Sequence, residues 1–415
     1  MRSACLALLA LSSTLFLIAC GGGSSSSSTT TTPPPPTQLT LTLSGAAPAA
    51  VATQADGGSW SALALSGATA TFTVPSATSN YAVAVLCPAS TISATQTETI
   101  FEANAGDTTA PSVFCPPSSG INMTVSFDLT AVGGTQAYLS VGDDLSGYWP
   151  GPASGANVQN VVPGTQDVGV AAYGPNQTTT PPVGVQIQRN VNVTGAPLTL
   201  PAMTAADQAG NAPITLSGVP SGFTTQITAY YNTPGGATIL INGTNVPSYG
   251  IVAAADTASG DYYSVQGSAS NGSTSLVETI QSFTSAQNVA LTLPGTLSYA
   301  GPTPAANPTF SATYSGFTGS GKTAWVADLL WPSSGSNSNV ILVYATSTFL
   351  GSNPIAVPDL SSVTGFLAPA SSGTTVDWSL IAVQQSSYYI PFETNSSPTS
   401  EAAQYAAAGG TYVAP

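Results

Sequence analysis

The chain has no histidine among its 415 residues, and that absence excludes more chemistry than any motif adds. Histidine is the commonest general base, the usual partner of a serine or cysteine nucleophile, and the commonest transition-metal ligand. Hydrolases of the Ser-His-Asp kind and zinc enzymes with histidine ligands are therefore excluded, while an enzyme running on carboxylates alone stays open. Charge is scarce as well. Asp, Glu, Lys and Arg make up 5% of residues, against about 25% in an ordinary soluble protein. Three basic residues, Arg2, Arg189 and Lys322, face seventeen acids. Phosphate groups are held by clustered Lys and Arg, so nucleic acid is not an expected partner, and neither are anionic lipid head groups. With 41 glycines and 33 prolines, long helices have little room.

Long apolar runs are equally few. The N-terminal one, Leu6 to Ala19, is interrupted only by Ser12, Ser13 and Thr14. It is shorter than the ~20 residues a bilayer core needs and fits the hydrophobic region of a secretory signal. It ends in Leu17-Ile18-Ala19-Cys20, followed by Gly21. This resembles the lipobox of bacterial lipoproteins, in type, order and position. The match departs from the usual pattern in having a single basic residue, Arg2, ahead of the apolar run. The resemblance implies that residues 1–19 are a signal peptide and that Cys20 becomes the acylated first residue, holding the protein on a membrane. Gly21, where an inner-membrane lipoprotein would carry aspartate, implies the outer membrane and leaves its surface and periplasmic faces both open.

Residues 20–37 continue as a low-complexity tether, GGGSSSSSTTTTPPPPT after the cysteine. Nothing in it can help bury a core. Its Gly/Ser half is a flexible coil, its proline run a stiff extended spacer, and fully extended it reaches roughly 50 Å. Processing at the lipobox removes Cys5 and commits Cys20 to lipid. Cys87 and Cys115 remain, and an oxidising compartment pairs them. A lone pair this far apart matches neither a CxxC redox motif nor a zinc site, so its expected role is structural. No metal or other cofactor is implied.

From residue 38 the sequence alternates apolar and polar residues as half-buried strands do, for example in Gln38–Leu43, Ala70–Val74, Tyr81–Val85, Met123–Phe127, Val183–Ile187 and Val289–Leu293. The one predicted helix is Ser400–Ala408. Two patterns recur. A small-residue turn leading into a strand reads VPSATSNYAVAV from Val74, VPGTQDVGV from Val162, DTASGDYYSV from Asp256 and APASSGTTVDWSLI from Ala368. An apolar strand closed by proline ends at Pro116, Pro201 and Pro294. Such spacing is that of a repeat. It predicts an all-β chain of four tandem antiparallel β-sandwich modules, at 38–118, 119–205, 206–302 and 303–415. Ig-like and transthyretin-like sandwiches both resemble this pattern. The antibody-type Cys–Trp–Cys arrangement is absent, since no tryptophan lies between Cys87 and Cys115.

Three motifs invite a functional reading. Gly316-Phe-Thr-Gly-Ser-Gly-Lys322-Thr323 matches the P-loop pattern, in which backbone N–H groups cradle phosphates. Thr309–Tyr314 would be the strand before it, but Ala324–Trp331 is too short for the helix that must follow, and no parallel α/β pattern surrounds it. No nucleotide is therefore expected. The acids Asp143-Asp144 and the pair Glu98 and Glu102 could serve calcium binding or a glycosidase, but they lack the dense acidic spacing of a calcium loop and suit turns and surfaces. Aromatics are spread over all modules: Trp60, Tyr148-Trp149, Tyr230-Tyr231, Tyr262-Tyr263, Trp325, Trp331, Trp378 and Tyr388-Tyr389. Of two adjacent aromatics on a strand, one points inward and the other outward, and an outward ring can stack on a sugar.

No catalytic constellation emerges. The expected function is that of a membrane-anchored cell-envelope lipoprotein, non-enzymatic, acting as a structural or adhesion-like binding module toward a glycan or protein ligand. The alternative is a carbohydrate-binding or carboxylate-only glycan-active surface protein, for which exposed aromatics should gather on one sheet face beside an acidic pair.

Overall fold

Gly- and Pro-rich turns cut the alternating sequence into short strands, and these group into sets of the same design. The computed structural model describes residues 35–415, apart from 91–93, 118, 143, 176–179, 244, 273, 334–336 and 387–401. Cys20 and most of the tether therefore lie outside the described residues, as do Tyr388 and Tyr389. The first set is β1 (Thr37–Gly45), β2 (Ala50–Ala55), β3 (Ser61–Ala62), β4 (Thr69–Val74), β5 (Asn80–Cys87), β6 (Thr95–Asn104) and β7 (Ser112–Cys115). The second is β8 (Ile121–Asp128), β9 (Gln136–Val141), β10 (Asp144–Pro150), β11 (Ala153–Val161), β12 (Gly164–Tyr173), β13 (Gly184–Val193) and β14 (Leu198–Thr199). The third is β15 (Gly210–Ser217), β16 (Thr224–Asn232), β17 (Thr238–Leu240), β18 (Ser248–Ile251), β19 (Tyr262–Ser270), β20 (Ser275–Phe283) and β21 (Val289–Thr292). The fourth has β22 (Thr309–Phe310), β23 (Lys322–Pro332), β24 (Ser338–Thr346), β25 (Ile355–Ala356), β26 (Thr375–Gln385) and β27 (Ala402–Val413), with one helical turn, α1 (Ser347–Leu350), after β24.

Lettered A to G in chain order, the first three sets share one topology. Strands D-A-G form a small sheet, as β4-β1-β7, β11-β8-β14 and β18-β15-β21, and C-B-E-F form the facing one. The fourth set keeps C-B-E-F and an A–D pair, β22 with β25, and has no G strand among the described residues. The protein is thus all-β, and none of the described sheets closes into a barrel. An immunoglobulin constant-type sandwich groups A, B, E and D against C, F and G, which is not this order. Most pairings are antiparallel, but G runs parallel to A in all three complete sets, with Cys115 beside Gly45, Thr199 beside Ser126 and Thr292 beside Ser217. The proline-closed repeat seen in the sequence is this G strand. Proline cannot donate to a ladder, so Pro116, Pro201 and Pro294 lie just beyond the strands.

The larger sheets do not all stay separate. Those of the first, third and fourth sets fuse into one twelve-stranded sheet, β17-β16-β19-β20-β27-β26-β23-β24-β6-β5-β2-β3. One joint is antiparallel, β20 with β27, where Glu278 sits opposite Tyr405. The other is parallel, β24 with β6, where Ile341 sits opposite Glu98. Residues 36–415 accordingly form one compact unit. The second set keeps its own four-stranded sheet and packs onto β17 of the third. There Ser140 Oγ accepts from the Thr238 N–H at 3.0 Å, and the Tyr173 hydroxyl donates to the Leu240 carbonyl at 2.8 Å. A methyl group on Gly169 would fall 2.2 Å from Ile239 Cδ1, so glycine lets the two layers meet this closely.

Within the predicted helix Ser400–Ala408, the described residues from Ala402 on are instead the start of β27. Alanine is the best helix former, but tertiary context decides here. Ala403, Ala406 and Ala408 are buried, and β27 completes two ladders at once, with β20 and with β26. A helix there would leave both ladders unpaired and the fused sheet cut in two.

Candidate functional site

The two glutamates four apart on β6 are buried, not at the surface where the sequence suited them. Glu98 lies opposite Leu86 and Ile341, and Glu102 opposite Ala82 and Ala345. Apolar neighbours on both sides remove hydration without supplying a counter-charge. Burial pushes Glu102 up to about 8. It pushes Glu98 up to about 7, against the opposing effect of the Leu367 N–H, which donates to Glu98 Oε2 at 2.9 Å. Four residues along a strand span about 13 Å, beyond the roughly 5–9.5 Å between carboxyls that glycosidase chemistry uses. Elsewhere on the fused sheet, burial and the neighbouring Asp377 raise Asp328 to about 6, and burial raises Glu278.

Glu98 also lines a cavity. Residues 358–369 of the fourth set lie over this part of β6 and enclose about 250 Å³ with Glu98, Asn307 and Ile341. Leu360 and Val363 give the covering segment an apolar inner face. A second cavity, of about 550 Å³, lies between the half-buried Trp325, Phe310, Ser311, Thr313 and the turn Ser347–Pro354.

A polar cluster that the sequence reading missed joins the second set to the third. Arg189 on β13 donates from Nη1 to Asp167 Oδ2 at 3.1 Å and to Asp261 Oδ1 at 2.9 Å. Its Nη2 donates to Asp261 Oδ2 at 2.6 Å and to the Asp256 carbonyl at 2.8 Å. The Tyr231 hydroxyl and the Ala258 N–H also donate to Asp261, both at 2.7 Å. Burial works to raise Asp167, yet the Asn190 N–H, Thr233 and Arg189 hold it below the usual carboxylate range. Asp256 goes the other way, to about 6, through burial and then the adjacent Asp207. The signal was present in the repeat: Asp167 in TQDVGV sits at an irregularity within strand E of the second set, and Asp261 in SGDYYSV lies immediately before strand E of the third.

The P-loop match is a connection from strand A to strand B. Its N–H groups at Thr318 and Gly319 donate to Gln404 Oε1, at 2.8 and 3.3 Å, instead of facing a ligand. Gln404 Nε2 in turn donates to Thr318 Oγ1 at 2.7 Å and to the Thr292 carbonyl at 3.0 Å, so the loop seals the joint between the third and fourth sets. The strand expected at Thr309–Tyr314 is only the two-residue β22, and Lys322 opens β23 where a P-loop needs a helix. The corresponding A-to-B connection of the third set, residues 218–223, likewise links two different sheets, β15 to β16.

Cys87 and Cys115 are bonded, with Cα atoms 5.2 Å apart, and tie strand E of one sheet to strand G of the facing one. Asp143 lies outside the described residues. No group of three or more Cys, Asp or Glu arranged to hold a metal occurs among the described residues. Of the aromatics singled out in the sequence, Trp60, Trp149, Tyr230, Tyr262 and Trp325 are half-buried. Tyr231, Tyr263, Trp331 and Trp378 are buried, and the only exposed large apolar residues described are Leu65, Val219, Leu276 and Val413. Tyr263 stacks on Phe283 at 5.5 Å, and Tyr299 meets Trp378 edge-on at 5.5 Å. Among the described residues no exposed aromatic cluster accompanies Glu98 and Glu102. None of the known protein families matches the chain, and no characterised protein shows significant similarity to it.

Proposed function

We propose that the chain is a lipid-anchored protein of the bacterial cell envelope, held by Cys20 on the outer membrane, whose folded body is a non-catalytic structural or adhesion-like module. The observation that carries this reading is the twelve-stranded sheet running through three sets of strands. Polar side chains bridge neighbouring sets: Gln404 between the third and fourth, and Arg189, Asp167 and Asp261 between the second and third. A body built this way resists bending between modules, which suits a part that carries load or presents a surface at the end of a tether. Of the two sandwich families that the sequence resembles, the strand order D-A-G over C-B-E-F departs from the constant-type grouping of the Ig-like one. The test is protease shaving of intact cells, with a tag at the C-terminus and a periplasmic marker as control. Digestion of the body with the marker intact places it outside; protection until the outer membrane is opened places it in the periplasm. A Cys20→Ala chain recovered in the membrane fraction would refute the lipid anchor.

The carbohydrate reading has one observation in its favour, the cavity of about 550 Å³ beside Trp325 with Ser311, Thr313 and Ser347 on its wall. An indole with hydroxyls around it suits a single sugar ring. A glycan-array signal lost in Trp325→Ala would support it, and silence of the array would end it.

A further inference from the structure

We propose that the cavity over β6 is a binding site for an alkylammonium group, a primary amine on a short apolar chain, held by the carboxylate of Glu98. The inference is independent of where the protein is anchored. Glu98 is 2% exposed, and its Oε2 is engaged by the Leu367 N–H. Its other oxygen, Oε1, has no hydrogen-bond partner among the described residues, and the side chain lines the cavity. A buried carboxylate with a free oxygen is costly unless a donor or a cation reaches it. Neither basic residue among the described residues supplies that cation: Arg189 is committed to Asp167 and Asp261, and Lys322 opens β23 at the far end of another strand.

The chemistry of the ligand follows from the walls. Strand neighbours Leu86 and Ile341 carry no charge, and neither does Asn307. In the covering segment the one titratable group is Asp359, which is exposed and accepts from the Ser361 N–H at 2.9 Å. A divalent ion wants six to eight oxygens, and one buried carboxylate does not provide them. An ammonium offers three donors and a single charge, and Ile341, Leu360 and Val363 can take an attached alkyl chain. At about 250 Å³ the cavity is smaller than the ~300–1,000 Å³ that enclose drug-sized ligands, which suits one side chain or a small amine. The amine could be a free metabolite or the lysine side chain of a partner protein.

The test is calorimetric titration of the purified protein with n-pentylammonium, with 1-pentanol, and with the blocked peptide acetyl-Gly-Lys-Gly-amide. An amine stays charged across the range used, so binding should be at least tenfold tighter at pH 8, where Glu98 is mostly ionised, than at pH 5.5, where it is mostly protonated. Pentanol should bind at least tenfold more weakly than the amine at pH 8. Glu98→Gln keeps an acceptor for the Leu367 N–H, so the fold should survive, and it should abolish the preference for the amine. If that variant fails to fold, Val363→Trp, which fills the cavity from the covering segment, should block binding instead. Tighter binding of the peptide assigns the site to a partner's lysine; tighter binding of pentylammonium assigns it to a free amine. Equal affinity for pentanol, a pH dependence of opposite sign, or no saturable binding of either amine would overturn the proposal.

Discussion

Arg189 Nη2 lies 2.6 Å from Asp261 Oδ2, a pair that joins β13 of the second set to the turn before β19 of the third. The carboxylate side chain is 3% exposed. Breaking a buried pair by removing one partner leaves the other charge uncompensated, at a cost of about 3–5 kcal/mol. Arg189→Met should therefore lower the unfolding free energy by that order, read from urea denaturation, and by more than Lys322→Met does. Adding Asp261→Asn to Arg189→Met should recover part of the loss. An Arg189→Met midpoint within error of the parent would mean that the cluster holds nothing together.

The buried acids set the direction of the pH response. Glu102 is raised to about 8, Glu98 to about 7, and Asp328 and Asp256 to about 6. The folded protein thus binds protons that the unfolded chain releases near pH 4. Stability from these groups is complete below pH 4 and is lost as pH rises through each folded value. The melting temperature should fall between pH 5 and pH 8.5, the reverse of a protein whose carboxylates are salt-bridged. Glu102→Gln should flatten the upper part of that slope. A melting temperature that rises over the same range would contradict the burial of these groups.

Gly45 sits at φ +77° beside strand G, where an added methyl group would come 1.9 Å from the Cys115 carbonyl oxygen. Gly45→Ala should destabilise by more than the ~1 kcal/mol that a compatible glycine replacement gains, measured as a drop in urea midpoint with the disulfide intact. Gly57, at φ +69° but facing open space, provides the control: Gly57→Ala should cost less, because strain is not joined there by a clash.

The loop Gly316–Lys322 should ignore nucleotides, because Gln404 already occupies its N–H groups. Acylation of Lys322, followed by mass spectrometry, should proceed at the same rate with and without millimolar Mg-ATP. Protection would reopen the P-loop reading.

Much of the fold was legible because strand periodicity and turn chemistry are local. Alternation marked Gln38–Leu43, Tyr81–Val85 and Val289–Leu293, and all three lie in or across strands of the structure. The recurring proline-closed strand was legible for the same reason, although its parallel pairing with strand A was not. Ala402–Ala408 misled because nothing local shows that two open ladders await an alanine-rich segment. The candidate site was legible only as residue types. Glu98 and Glu102 were visible as a pair sharing a face, but their burial depends on β24, more than two hundred residues away in sequence.

By itself, the sequence determined the all-β class, the repeat of strands, the exclusion of histidine chemistry and the availability of Cys87 and Cys115 to pair. These follow from composition, from side chains alternating along a strand, and from which cysteines remain once the lipobox resemblance is granted. Only the tertiary structure decided that three sets of strands share one sheet, that Arg189 closes a joint, and that Glu98 faces a cavity. Each of those rests on contacts between distant segments, and burial, which turns a surface acid into a proton-holding one, is a property of such contacts and not of spacing.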